Sequence, residues 1–111
     1  MRQRVLIADK DAGAREVIEA LLGRFDAEAI FADNDEQAYQ LFVEQGPDVV
    51  FVDALLPRKG GGEVIRQIRQ TDGGDRVAVF VTSSLGGGGS LRDEAMGAWG
   101  ALGFFPKPLH S

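Results

Sequence analysis

Several residue types that carry chemistry are absent or scarce in this sequence of 111 residues. It has no cysteine and a single histidine, His110. Their scarcity excludes disulfides, thiolate zinc sites, a cysteine nucleophile and a histidine cluster. No apolar run approaches the roughly 18 residues of a membrane-spanning helix. The apolar run at residues 5–8 is also too short for the core of a signal peptide.

Positive charge is scarce as well. Lys and Arg total 12 against 17 Asp and Glu, which gives a formal net charge of −5. The sequence contains no basic cluster that could form a nucleic-acid or anionic-membrane footprint. We therefore expect a cytoplasmic protein that binds no nucleic acid or membrane directly, and whose partners are other proteins or small ions.

What is present is the composition of one folded domain. Hydrophobic residues make up 44% of the chain and charged residues 26%, close to the average of soluble globular proteins. The length fits a single domain over residues 1–111. Glycine, with 15 residues, is roughly twice as frequent as in an average protein.

Short apolar runs alternate with segments of helical periodicity along the chain. The apolar runs are typical of strands buried on both faces, and the other segments place their apolar residues on one helical face. Strict alternation predicts right-handed crossovers and a doubly wound parallel α/β sheet. The predicted strands cover residues 5–8, 27–31, 49–52, 77–81 and 103–105. The predicted helices run over about 12–24, from a cap at Asp33 or Asn34 to Gly46, around Val64, Ile65 and Ile68, and from a cap at Ser90 to about Ala101.

Polar side chains follow four of the five predicted strands. In open parallel sheets, ligands bind beyond the carboxyl ends of the strands. Carboxylates that converge there favour Mg²⁺, which prefers oxygen ligands, and a lysine and a hydroxyl could hold a phosphoryl group. Each residue alone could equally be a turn or cap residue, so the prediction rests on their joint order. The residues at this edge are Asp9, Lys10, Asp11, Asp53, Thr82, Ser83 and Lys107.

The same segments carry a family resemblance. They are residues 5–11 with Arg15, residues 49–53 followed by Leu56-Pro57 and Gly61, residues 81–83, Phe104, and Lys107-Pro108. In this order they resemble the receiver domain of bacterial two-component response regulators. The resemblance implies a flavodoxin-like fold with strand order 2-1-3-4-5. It also implies phosphoryl transfer to an aspartate, with Mg²⁺, from a histidine kinase or phosphotransfer protein.

Particular residues acquire roles from this resemblance. Asp53 would be the phosphoacceptor, Thr82 the switch hydroxyl and Lys107 the cation that pairs with the phosphoryl group. Phe104 takes the position of the switch aromatic, and Lys107-Pro108 would be a cis peptide. The metal would be held by Asp9, Asp53 and the backbone carbonyl of Leu55. No enzymatic activity is implied beyond self-phosphorylation and self-dephosphorylation at Asp53, and the output would be a downstream domain or protein.

Lys10 departs from the family, which has two adjacent acids at the end of its first strand. Two unit charges about 4 Å apart interact by roughly 4 kcal/mol at an effective dielectric of 20, so an inward Lys10 would weaken Mg²⁺ binding. Lys10 could instead reach solvent, and Asp11 could then reach the cation. Two hypotheses therefore stay open: Mg²⁺-dependent phosphorylation of Asp53, or a pseudo-receiver that acts as a phosphate-independent interaction module.

The last third of the chain departs further. Residues 86–89 are four glycines, interpreted as a flexible hinge rather than a phosphate loop, and Gly97 and Gly100 weaken the fourth helix. The sequence ends four residues after Lys107, so we expect the family's fifth helix to be missing or truncated and an apolar groove to be exposed. The fourth helix and last strand are a candidate homodimer face, with Phe104 and Trp99 as contact or core residues.

Two other classes compete with this interpretation. An aspartyl phosphatase would have a second carboxylate two residues after its nucleophile, where this chain has Leu55. A flavodoxin would have a Ser, Thr and Gly phosphate loop after its first strand, where Asp9-Lys10-Asp11 carries the wrong charge. The receiver interpretation is therefore favoured over both.

Overall fold

The computed structural model describes residues 3–84 and 89–109 of the chain. Strands and helices alternate through these ranges, as the sequence predicts. The strands are β1 Gln3–Ala8, β2 Ala27–Ala32, β3 Val49–Asp53, β4 Ala78–Ser83 and β5 Gly103–Pro106. The helices are α1 Ala12–Leu22, α2 Asp35–Gln45, α3 Gly61–Gln70 and α4 Gly89–Met96, with short 3₁₀ turns at Gly23–Phe25 and Gly74–Arg76.

All five strands are parallel and lie in the order β2-β1-β3-β4-β5. The predicted doubly wound, flavodoxin-like topology is thus confirmed. The register pairs Ala8 with Val52 and Asp53 with Thr82. Asp9, one residue beyond β1, therefore reaches the same edge as Asp53 and Thr82.

The core lies on both faces of the sheet. The larger cluster packs α2 and α3 against residues such as Leu6, Val50 and Val79, and the smaller one packs Ile18 of α1 against Val5 and Ile7. Fully buried Val, Ile and Leu side chains therefore fix the strand ends that carry the polar residues.

Cap residues explain where the helices begin and end. Asn34, one of the two predicted caps, accepts a hydrogen bond from the N–H of Gln37 at 2.8 Å. Asp11 caps α1 by accepting from the N–H groups of Gly13 and Ala14. Gly46 takes a left-handed conformation, with φ of 59°, and closes α2 as glycine readily does.

Helix α4 is shorter than the sequence predicts. It ends at Met96 rather than near Ala101, and Ser90 lies inside its first turn instead of capping it. Gly100, at φ 68°, turns the chain toward β5. Of the predicted hinge at residues 86–89, residues 86–88 lie outside the described part of the chain, and Gly89 is the first residue of α4.

An apolar groove lies between α1 and the β3–β5 side of the sheet. It has a volume of about 270 Å³ and is lined by Val17, Leu21, Phe51, Phe105 and Leu109, among others. Phe51, Phe80 and Phe105 form a row, with ring centroids 5.1 and 6.1 Å apart. Within the described ranges no helix follows β5, and none combines the length and the apolar character that crossing a bilayer requires.

Candidate functional site

Lys107 draws three carboxylates together at the carboxyl edge of the sheet. Its Nζ lies 3.0 Å from Asp9 Oδ1, 3.2 Å from Asp53 Oδ2 and 3.5 Å from Asp11 Oδ2. Its side chain is only 7% exposed, and that of Asp9 only 2%. The structure therefore brings together Asp9, Asp53 and Lys107, as the sequence predicts, and adds Asp11 at their rim.

Asp9 is the most deeply buried member of this cluster. Its Oδ1 accepts the backbone N–H of Asp11 at 2.8 Å, and its Oδ2 accepts the hydroxyl of Thr82 at 3.3 Å. Burial raises the pKa of the Asp9 carboxyl above its ordinary value and the charge of Asp53 adds to this effect, against the lowering effect of the Asp11 N–H and of Lys107. Asp9 therefore depends on the lysine to carry its charge in the interior.

Burial alone would lower the pKa of the Lys107 ammonium. The hydrogen bonds and charges of Asp9 and then Asp53 outweigh this effect, so the pKa of Lys107 lies above its ordinary value. The lysine is thus held as a cation at neutral pH, between the two carboxylates.

Asp53 ends β3 with its carboxylate facing the opening of the site. Its Oδ1 accepts the backbone N–H of Leu55 at 3.0 Å, and Lys107 binds its Oδ2. Its side chain is 14% exposed and that of Asp9 is 2% exposed, so of these two carboxylates Asp53 is the one that a partner can reach. Thr82, opposite it on β4, is buried.

Lys10 and Asp11 are placed differently with respect to the site. Lys10 is exposed, and among the described residues it makes no ion pair. It is therefore not a cation inside the cluster. Asp11 uses Oδ1 to cap α1 while its Oδ2 faces Lys107. The outward Lys10 that the sequence left open is therefore observed, and Asp11 lies at the rim of the site beside Lys107.

The two aromatic candidates lie in or against the core. Phe104 pairs with Val81 and is 6% exposed, whereas its neighbour Phe105 is 42% exposed. Trp99 packs on Gly62, where an added Cβ would lie 2.7 Å from the indole ring. Phe104 is thus not a surface contact in this conformation. The Lys107-Pro108 peptide is cis, as predicted.

Two residues near the site receive no specific role from sequence reasoning. Arg15 ties β1 to β2: its guanidinium donates to the backbone carbonyls of Asp9 and Ala32 and to Asp33. Asp35, the first residue of α2, is a buried carboxylate bound to the loop after Asp53. Its position directly after the Asn34 cap was the only sequence signal, and that position also suits an ordinary first-turn acid.

The carboxylates fit Mg²⁺ in ligand type and charge. Asp9, Asp11, Asp53 and Lys107 sum to a formal −2, since Lys10 stays outside the cluster, and hard cations prefer such oxygen ligands. Asp9, Asp53, Asp11 and the Leu55 carbonyl are the groups that could hold the ion. Among the described residues, however, no group of three or more ligating side chains is arranged as a ready metal site, because the carboxylates converge on the lysine.

Comparisons with known proteins agree with this geometry. The family model described as "Response regulator receiver domain" matches residues 5–111. The response regulator MprA of Mycolicibacterium vanbaalenii is 32% identical over 110 residues, which cover 98% of this chain and 46% of that protein. The chemotaxis protein CheY of Bacillus subtilis is 31% identical over 112 residues, covering 100% of this chain and 90% of that protein.

Solved structures share the fold. The response regulator domain of Thermotoga maritima CheB is 29% identical, with a TM-score of 0.79, over 97% of this chain and 80% of that one. The receiver domain of a Pseudomonas aeruginosa sensor histidine kinase, crystallised with a magnesium ion in its active-site cleft, is 24% identical, with a TM-score of 0.80, over 99% and 88% of the two chains.

The chain spans less than half of several curated relatives that it matches, 32% of the regulator ycf27 of Guillardia theta and 46% of MprA. The segment that MprA shares with this chain includes Asp9, Asp53 and Lys107. With the family model matching almost every residue, the chain belongs to the receiver-domain family of response regulators.

Proposed function

We propose that this receiver domain is a phosphoacceptor in a two-component phosphorelay, with Asp53 as the residue that takes the phosphoryl group. The observation that carries the proposal is the Lys107 ammonium, which bridges the carboxylates of Asp9 and Asp53 at 3.0 and 3.2 Å. A cation fixed beside an accessible carboxylate is suited to stabilise the charge of a phosphoryl group transferred there.

Transfer would form a bond between phosphorus and a carboxylate oxygen of Asp53. The bond from phosphorus to the imidazole nitrogen of a phosphohistidine breaks, and the imidazole keeps the electron pair and takes up a proton. Lys107 holds Asp53 Oδ2 and remains close to the new negative charge. A bound Mg²⁺ would supply further neutralisation of the phosphoryl oxygens.

Thr82 would report the phosphorylated state. Its hydroxyl is buried and donates to Asp9 in the structure, and Asp53 lies directly across the strand pair. A phosphoryl group on Asp53 offers the hydroxyl a stronger acceptor. Movement of Thr82 toward it would alter the packing of β4 against β5, where Phe104, the proposed switch aromatic, pairs with Val81, and so the α4 and β5 surface.

The partners follow from this role. A histidine kinase or phosphotransfer protein would supply the phosphoryl group, and a downstream output domain or protein would respond. The exposed side chain of Leu102, directly before β5, makes the α4 and β5 face the candidate surface for a homodimer or another partner. We propose no turnover beyond self-phosphorylation and self-dephosphorylation at Asp53.

One observation favours a second function, a pseudo-receiver that works by binding alone. Lys107 already satisfies the carboxylates, and within the described ranges no ready metal cluster exists. In that case the bridged state would be the permanent signalling state, and the α4 and β5 surface would bind its partner without phosphate.

Intact-mass measurement after treatment with acetyl phosphate separates the two functions. We expect one phosphoryl adduct on the wild type with Mg²⁺, none on Asp53→Asn, and an unchanged adduct on Asp48→Asn, which removes an exposed acid at the opposite end of β3. Failure to form any adduct, with or without Mg²⁺, would overturn phosphorylation and favour the pseudo-receiver.

A further inference from the structure

Asp35 is a buried carboxylate that lies outside the site formed by Asp9, Asp53 and Lys107. Among the described residues the buried polar ones are Asp9, Asp35, Thr82 and Ser83. Asp9, Thr82 and Ser83 lie at the carboxyl ends of β1 and β4, within the site already described. Asp35 begins α2 and is 6% exposed. A buried charge is costly unless it is paired and hydrogen-bonded, so its partners show what it holds.

The partners of Asp35 belong to the loop that follows the phosphoacceptor. Its Oδ2 accepts the backbone N–H of Lys59 at 3.2 Å, and its own N–H lies 3.5 Å from the carbonyl oxygen of Pro57. Oδ1 accepts the N–H of Glu36 at 2.8 Å. One residue of α2 therefore holds the loop on both sides of Arg58.

Arg58, in the middle of this loop, has a strained backbone conformation. It takes φ of 80°, one of two non-glycine residues with positive φ among those described, and such a conformation is costly for an L residue. Its guanidinium lies 3.0 Å from Glu36 and 4.0 Å from Asp35. The side chain of this strained residue and the backbone of the residues on either side of it are thus tied to the start of α2.

Hydrogen bonds also fix the two ends of the same loop. The N–H of Leu55 donates to Asp53 Oδ1, and the N–H of Gly61 donates to the carbonyl of Ala54 at 3.2 Å. The loop, residues 54–60, thus has three supports: the end of β3, the start of α3, and Asp35 at its middle. Loss of the middle support would release the backbone that aims Leu55 and the Asp53 carboxylate.

We infer that Asp35 is a positioning residue for phosphoryl transfer, through its grip on the loop at residues 54–60. Asp35 touches neither Lys107 nor Asp53 and acts only through the backbone of Pro57 and Lys59. The inference rests on the proposed function of Asp53. A small displacement of reacting groups lowers the rate steeply, so a support outside the cluster can control its chemistry.

Two variants remove the hydrogen bonds of the Asp35 carboxylate to different extents. Asp35→Asn keeps one acceptor oxygen and can satisfy only one of the N–H groups of Glu36 and Lys59, whereas Asp35→Ala satisfies neither. Glu44→Gln, an exposed acid on the same helix, is the matched control. The measurements are amide hydrogen exchange, the initial rate of phosphorylation by acetyl phosphate, and the Mg²⁺ concentration for half-maximal rate.

We expect faster exchange at the Lys59 amide in both variants, with unchanged exchange in β1 and β4. The phosphorylation rate should fall by roughly tenfold in Asp35→Ala and by less in Asp35→Asn, with a higher half-saturating Mg²⁺ concentration, while Glu44→Gln matches the wild type. If Asp35→Ala does not fold, Asp35→Asn decides.

Wild-type rates and Mg²⁺ dependence in a folded variant with a released Lys59 amide would overturn the inference. Unchanged exchange at Lys59 would overturn it as well. If the wild type itself takes no phosphoryl group, the proposed function of Asp53 fails, and with it the role of Asp35 in transfer. The exchange measurement would still show separately whether Asp35 holds the loop.

Discussion

Asp11 does two things, of which the sequence predicted only one, the role of candidate metal ligand; the structure adds the cap of α1. One carboxylate oxygen accepts from the first N–H groups of α1, and the other lies 3.5 Å from Lys107. The side chain is 45% exposed, so its charge interacts through a medium closer to water than that of Asp9. Because the cap needs only an acceptor oxygen whereas the attraction to a cation needs the charge, one substitution can remove the charge and keep the cap.

The two roles of Asp11 predict different results for two substitutions. Asp11→Asn keeps a good cap and removes the charge, so we expect stability within about 0.5 kcal/mol of wild type and Mg²⁺ affinity lowered about tenfold. Asp11→Ala loses the cap as well and should destabilise by about 1 kcal/mol. Urea unfolding and a Mg²⁺ titration followed by amide chemical shifts would measure these effects.

The reference for this comparison is Gly46→Ala, which strains the left-handed residue at the other end of α2 (φ 59°) and should destabilise the protein by about 1 kcal/mol while leaving Mg²⁺ affinity unchanged. Equal Mg²⁺ affinity in Asp11→Asn and the wild type would show that the charge of Asp11 does not contribute to Mg²⁺ binding. Asp11 would then not replace the second acid of the family, whose position Lys10 occupies.

At the scale of elements, β3 and α3 pack so closely that the first residue of α3 has no room for a side chain. The N–H of Gly61 bonds to Ala54, and a Cβ at Gly61 would overlap the carbonyl oxygen of Asp53 and come within 2.8 Å of Val52 Cγ1. The first residue of α3 must therefore be glycine for the loop after Asp53 to close. Gly61 was part of the family resemblance, and the structure supplies its physical reason.

Gly61→Ala should accordingly destabilise the protein by about 2 kcal/mol or more, since the obstruction is backbone that cannot move aside. It should also slow phosphorylation of Asp53, because the strand end would shift. Gly23→Ala is the control: nothing lies within 4 Å of its added Cβ, and its φ of −59° is helical. Thermal unfolding of both variants checks the prediction, and equal stability would refute it.

At the scale of the molecule, the topology was predictable because the strands are apolar on both faces and end in polar residues. Asp9, Asp53 and Lys107 met as expected for the same reason. The early end of α4 was not predictable, because glycines at 97 and 100 weaken a helix without saying which of them ends it. Asp35 was missed because its partners are backbone groups of a loop distant in sequence, and no pattern in the chain encodes such a contact.

Lys107 is the residue on which the whole strand edge converges. It follows β5, yet it binds carboxylates at the ends of β1 and β3, which are 98 and 54 residues earlier in the chain. Without it, Asp9, Asp11 and Asp53 would leave three like charges at one edge. Removing one partner of a buried ion pair costs far more than the pair contributes, because the remaining charge stays desolvated.

We therefore expect Lys107→Met to lower the free energy of unfolding by about 3 kcal/mol, whereas Lys10→Met, at an exposed lysine beside the same edge, changes it by less than about 0.5 kcal/mol. Mg²⁺ should stabilise Lys107→Met more than it stabilises the wild type, because the ion no longer competes with the ammonium for the carboxylates and ligand binding to the native state raises stability. Thermal unfolding with and without MgCl₂ measures both effects. Equal Mg²⁺ stabilisation of the two proteins would show that the ion and the lysine do not share these carboxylates.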